Sequence, residues 1–187
     1  IDAVLCAEVC EAAILLSEDP AVRAVLFTAE GKAFSFGGDI SAFIGDLDSL
    51  PKNIKRWTAS LHSGLARLQR MDAPIVAAVQ GVCAGGMAGV VAGADIVVAA
   101  EDARFVAAFA GIGFSNDSGS SVMYTRRMGI ARARKFLLLN ETLDAAQALA
   151  IGLVDEVVPA EQVQARAEEI ATKLAAGPTK AFGEMRR

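Results

Sequence analysis

The chain has 187 residues, 53% hydrophobic and 21% charged, which excludes an intrinsically disordered protein and suffices for one buried core. Eighteen Lys and Arg against 22 Asp and Glu give a formal net charge of −4, whereas a general nucleic-acid binder carries a basic excess. Mean hydropathy is high at +0.40, but the longest weakly polar run, Ile75 to Ala100, contains Gln80, Asp95, Gly81, Gly85, Gly86 and Gly93. It reads as short buried elements separated by turns, and no membrane partner is expected.

Three cysteines, Cys6, Cys10 and Cys83, make no disulfide framework and have no zinc-ligand pattern around them. They read as small buried hydrophobes in a reducing compartment. No targeting segment is visible, so a cytoplasmic location is expected. The abrupt start at Ile1 looks like that of a fragment.

In chain order, Asp2 to Leu16 has helical spacing, with Val4, Leu5, Ala12, Leu15 and Leu16 as its apolar positions. Ser17 to Pro20 stops it, and Val22 to Thr28 reads as a buried strand. Ala33 to Ile40 is a strand end passing into a Gly37-Gly38 turn, with Asp39 able to cap a short helix. Pro51 to Met71 is an amphipathic helix whose stripe is Ile54, Trp57, Leu61, Leu65 and Leu68. Pro74 to Val79 and Asp95 to Ala100 are buried strands, separated by a glycine-rich turn at Gly81 to Gly86 and a short helix at Met87 to Gly93. A short strand is expected within 103–109, then helices near 118–127, 130–139 and 144–151, ended by Gly129 and Gly152. Val154 to Val158 is a strand and Pro159 to Ala176 a helix. Continuous apolar strands alternating with helices predict an α/β fold, a mostly parallel sheet covered by helices. Ligands of such sheets sit where strands give way to helix N-termini.

Two glycine turns fall at such points: Phe36-Gly37-Gly38-Asp39 and Cys83-Ala84-Gly85-Gly86. Uncovered N–H groups there, one at a helix N-terminus, can receive an oxyanion. Each alone can equally be a plain turn or a close helix–strand contact. Neither has a P-loop Lys-Ser/Thr pair or a dinucleotide fingerprint.

In this order, the segments Val22–Asp39, Pro74–Asp95, Ala103–Gly129 and Leu137–Pro159 resemble the crotonase, or enoyl-CoA hydratase/isomerase, superfamily over nearly the whole chain. The resemblance implies a single crotonase-like acyl-CoA-binding domain over 1–187, a spiral of ββα units. The family's first strands would precede Ile1, and most of its C-terminal helices would follow Arg187. It implies a coenzyme A thioester as substrate, no bound cofactor or metal, and a homotrimer or hexamer. It carries the thioester oxyanion donors onto the backbone N–H groups of Gly38 and Gly86. It puts Lys32, Ala33, Phe34 and Phe36 along the coenzyme, with Phe109 and Phe114 shaping the acyl pocket. Lys32 reads equally well as a solvated turn lysine.

The glutamate pair of hydratases falls on Gly89 and Phe109, neither able to move a proton. Asp117 falls where some isomerases of the family carry a single catalytic carboxylate, which suffices to shift a double bond from the 3- to the 2-position. Locally, Asp117 also reads as a cap for the following helix. The spacing of His62, the sole histidine, and of Asn116-Asp117 resembles the 4-chlorobenzoyl-CoA dehalogenase branch, which has tryptophan where Phe109 stands. There an aspartate attacks the ring and a histidine activates water. A structural role for His62 stays open. So does a non-catalytic coenzyme-A-binding or assembly subunit.

Overall fold

The computed structural model describes residues 1–45 and 47–187. The first half comprises α1 (Ala3–Glu18), β1 (Val25–Phe27), α2 (Ile40–Ile44), α3 (Leu50–Arg70), β2 (Ile75–Val79), β3 (Val82–Ala84) and α4 (Gly85–Ala92). The second comprises β4 (Ile96–Ala100), β5 (Arg104–Val106), α5 (Ser120–Met128), α6 (Ile130–Leu138), β6 (Thr142–Asp144), α7 (Ala145–Ala150), β7 (Glu156–Val158), α8 (Val163–Ala175) and α9 (Thr179–Arg186).

The expected α/β architecture is present, with two sheets in place of one. Strands β1-β2-β4-β7 form a wholly parallel sheet. Its central strands alternate between two cores: Ile75, Ala77, Val79, Val97 and Ala99 face the larger, and Val76, Ala78, Val98 and Ala100 face the other. Val163, Ala167 and Ile170 of α8 close the second core. Burial on both faces explains why these strands are apolar without interruption.

Strands β3-β5-β6 form the second sheet, with β5 and β6 antiparallel. Its first strand lies inside the stretch expected as one turn. Val82, Cys83 and Ala84 pair with Arg104, Phe105 and Val106, and this long-range pairing overrides the punctuation of the flanking glycines.

The buried face of α1 differs from the expected stripe. Val4 and Leu15 are 62% and 60% exposed, while Cys6 and Ala13 are buried. The helix turns that small-residue face to α3, where a Cβ at Gly64 would stand 2.8 Å from the Cys10 Cα. Close approach selects small side chains over large ones, and it brings Cys6 and His62 to the same cavity. The Ile75–Ala100 run is the succession β2, β3, α4, β4. Among the described residues, no helix is long and apolar enough to cross a membrane.

Candidate active site

The site starts from a parallel bridge between Ser35 and Cys83. The Ser35 N–H donates to the Val82 carbonyl, and the Ala84 N–H donates to the Ser35 carbonyl, each at 2.9 Å. Beyond the bridge both strands turn through glycines with positive φ, +90° at Gly37 and +57° at Gly85. A Cβ at Gly37 would stand 3.2 Å from the Ala84 carbonyl oxygen and 3.6 Å from the Gly85 Cα, so the turns lie against each other. Only glycine takes this backbone without strain at such close approach. Gly38 and Gly86 each directly follow these abutting turns, and both line one cavity. Gly86 is the second residue of α4, where an N–H has no acceptor within its own helix. Among the described residues, neither the Gly38 nor the Gly86 N–H has a partner.

Both glycines line a cavity of about 690 Å3 that also holds Asp117, His62, Phe36, Phe109 and Phe114. The cap expected of Asp117 is absent: α5 begins at Ser120 without a side-chain cap. The Asp117 main-chain carbonyl, not its carboxylate, accepts from the Ser120 N–H at 2.9 Å and from Ser120 Oγ at 2.6 Å. Its Oδ1 accepts from Ser118 Oγ at 3.0 Å and stands 3.2 Å from where a Gly86 Cβ would be. The carboxylate therefore lies beside the bare face of Gly86.

His62 reaches the same place from α3. Its Nε2 accepts from the Ser118 N–H at 3.0 Å. Ser118, which sequence reasoning missed, thus touches both Asp117 and His62. Its positive φ of 54° carries no signal in the sequence beyond a polar, glycine-containing turn. Cys6 was also missed as a cavity residue. Burial pushes its thiol above the ordinary range, which keeps it protonated.

The walls are aromatic. Phe43 stacks on Trp57 at 6.2 Å and on Phe114 at 5.9 Å between ring centroids. A Cβ at Gly38 would meet the Phe43 ring at 2.7 Å, so this stack begins against the first glycine. Phe36 is 76% exposed at the cavity's edge. Phe34 corrects the expected coenzyme contact: its side chain is 9% exposed and belongs to the core. Phe36 stands next to Gly37, whose positive φ turns the chain out of the extended path that Phe34 shares with the core. Lys32 is exposed and Ala33 half-buried, and neither lines the cavity.

The two positions matched to hydratase glutamates differ. Phe109 forms part of the wall. A Cβ at Gly89 would stand 2.5 Å from Ser120 Cβ and 3.1 Å from its Cα, so α4 and α5 leave no space there for a side chain.

Two glycine amides without protein partners, one of them at a helix N-terminus, an adjoining carboxylate and an apolar cavity come together on a crotonase-like fold. The chain belongs to the enoyl-CoA hydratase/isomerase family, whose model matches residues 1–186. It is 35% identical over 173 residues to 4-chlorobenzoyl coenzyme A dehalogenase-1 of an Arthrobacter species, covering 92% of this chain and 63% of that protein. It is 29% identical to trans-2-decenoyl-[acyl-carrier-protein] isomerase of Streptococcus mutans, covering 95% of this chain and 68% of that one. The crystal structure of an enoyl-CoA hydratase from Mycobacterium avium subsp. paratuberculosis K-10 superposes with a TM-score of 0.85 at 32% identity, over 97% of this chain and 71% of that one. The chain therefore spans about two thirds of the length of these relatives.

Proposed function

We propose that this site isomerises a 3-enoyl coenzyme A thioester to the 2-enoyl thioester. The observation that carries the reading is the Asp117 carboxylate, which caps no helix and lies beside Gly86. With the thioester oxygen between the Gly38 and Gly86 N–H groups, Asp117 removes a proton from C2. The electron pair moves onto that oxygen as a dienolate, which the two N–H groups and the N-terminus of α4 stabilise. The protonated Asp117, in exchange with solvent, then gives a proton to C4, and the double bond settles between C2 and C3. The step balances without oxidant, metal or bound cofactor. Lys32, Ala33 and Phe36 remain proposed contacts for the coenzyme, and Phe109 and Phe114 for the acyl group.

Two observations favour this chemistry over its neighbours. Hydration by a glutamate pair has no counterpart at Gly89 and Phe109, and the Gly89 position has no space for one. In aryl dehalogenation by Asp117, His62 would be the base for water. Its Nε2 lone pair is already used by the Ser118 N–H, and in the neutral ring the other nitrogen then carries the proton. A homotrimer or hexamer goes with the same reading, supported by the exposed Ile130, Leu138 and Leu139 on α6 and at its end.

The test is the 3-enoyl to 2-enoyl conversion by the full-length protein, with exchange of the C2 hydrogen in deuterated water. Asp117→Asn, which cannot accept the proton, is expected to lower kcat about 100-fold or more. Full activity in that variant would overturn the mechanism. Thioester binding without exchange in wild type would favour a non-catalytic subunit. An acyl adduct on Asp117 during turnover of an aryl thioester would favour dehalogenase-like chemistry.

A further inference from the structure

We infer that Ser118 is the positioning residue of this site, holding the Asp117 carboxylate and the His62 ring in one fixed arrangement against Gly86. The inference rests on the isomerase reading and deepens it. Ser118 is 2% exposed and uses both of its donors on the carboxylate and imidazole of the cavity. Its N–H goes to His62 Nε2 and its Oγ–H to Asp117 Oδ1, each at 3.0 Å. The hydroxyl fixes one carboxylate oxygen and leaves the other for the substrate proton.

The backbone is strained to achieve this. A serine at φ +54° occupies the left-handed region that glycine enters freely. Glycine follows immediately at 119, with φ +70°, so the turn already uses that residue type where no side chain is needed. Serine at 118 keeps a hydroxyl at a position where glycine would relieve the backbone. A strained conformation persists where its surroundings over-determine it, and here the His62 and Asp117 bonds do so.

Ser118 also joins the acid to the anion hole. Its Oγ stands 2.7 Å from where a Gly86 Cβ would be, so it fills the space left by the missing side chain. The N–H that stabilises the dienolate and the carboxylate that moves the proton thus share one neighbour. His62 is then an anchor for the Ser118 backbone, and its role is to accept a hydrogen bond.

The test compares Ser118→Ala and Ser118→Gly in the full-length protein. Both remove the hydroxyl, but only alanine retains the backbone strain. A purely structural role predicts that glycine performs like wild type or better and that alanine is the poorer. Positioning predicts that both lose kcat by about 10- to 100-fold with KM within about twofold, although glycine melts no lower than wild type. Wild-type kcat in Ser118→Gly would overturn the inference. A second readout needs no turnover: a 15N–15N coupling across the hydrogen bond from the Ser118 amide to His62 Nε2. Its presence in wild type supports the tie and its absence overturns it. A wild-type protein that forms this bond yet exchanges no C2 hydrogen defeats the isomerase reading, not the tie.

Discussion

Gly86→Ala separates catalysis from stability at this site. The φ of Gly86 is not in the left-handed region, so alanine suffers no backbone penalty there. The obstacle is space: the new Cβ would stand 2.7 Å from Ser118 Oγ, 2.8 Å from Ile1 Cδ1 and 3.2 Å from Asp117 Oδ1. All three lie inside ordinary contact distance, so either the first turn of α4 shifts or the Asp117–Ser118 turn retreats. A shifted turn misaligns one anion-hole donor, which costs about 100- to 1000-fold in kcat, or roughly 3–4 kcal/mol. A retreating Asp117 costs about 100-fold by misplacement of the proton acceptor. Overpacking destabilises by about 1–3 kcal/mol, and replacing a helical glycine by alanine returns up to about 1 kcal/mol. The folded protein should therefore lose no more than about 3 kcal/mol while kcat falls at least 100-fold. Isomerase turnover and a calorimetric Tm on the same preparation measure both. A variant that keeps kcat within threefold at an unchanged Tm would refute the placement of Gly86 in the anion hole.

Other substitutions test the packing that delivers the site. Gly89→Glu should cost about 1–3 kcal/mol through collision with Ser120 and should yield no hydratase activity; a stable variant that hydrates a 2-enoyl thioester contradicts the closed α4–α5 contact. Gly64→Ala drives a methyl toward the Cys10 Cα and Val9 oxygen, and net destabilisation in a urea titration is expected despite alanine's better helix propensity. Hydrogen bonds from the Arg166 guanidinium hold the Glu156 carboxyl below its ordinary value. The unfolded chain therefore binds the proton more tightly, and this stabilisation is present above roughly pH 4.3 and lost as pH falls through the lower folded value. Because the pair is more than a third exposed, Glu156→Gln should cost less than about 1 kcal/mol at pH 7, and the difference should vanish in acid. A gap that persists at low pH would point to packing instead.

The fold was legible where burial is complete. The apolar runs 75–79 and 96–100 announced central parallel strands, and Gly129 and Gly152 marked helix ends because those backbones take positive φ. β3 and β6 were not legible, since β3 lies within a glycine-rich stretch and β6 leads directly into α7, and only their pairing with β5, distant in sequence, makes them strands. Gly38, Gly86, Asp117 and His62 were named through the family resemblance, their local sequence reading as well as plain turns, a cap and a helix histidine, and the fold brings all four to one cavity. Phe34 could not be separated from Phe36 by strand alternation, which puts residues two apart on one face; Phe34 is buried in the core and Phe36, beside the Gly37 turn, is exposed. Ser118 was invisible because its importance lies in a backbone angle and two hydrogen bonds. The failure of α1's apolar stripe has the same origin: helix spacing identifies faces, but Gly64 decides which face approaches.

The Ser35–Cys83 bridge has a consequence for how such a protein diversifies. The two glycine turns sit on main-chain pairing beneath them, whereas Phe43, Trp57 and Phe114 come from α2, α3 and the segment before α5. Mutation can remodel those rings to admit a different acyl group while the polarising apparatus stays put. On the proposed isomerase reading, new substrates would be reached by drift in the lining alone, with the turns beneath it unchanged.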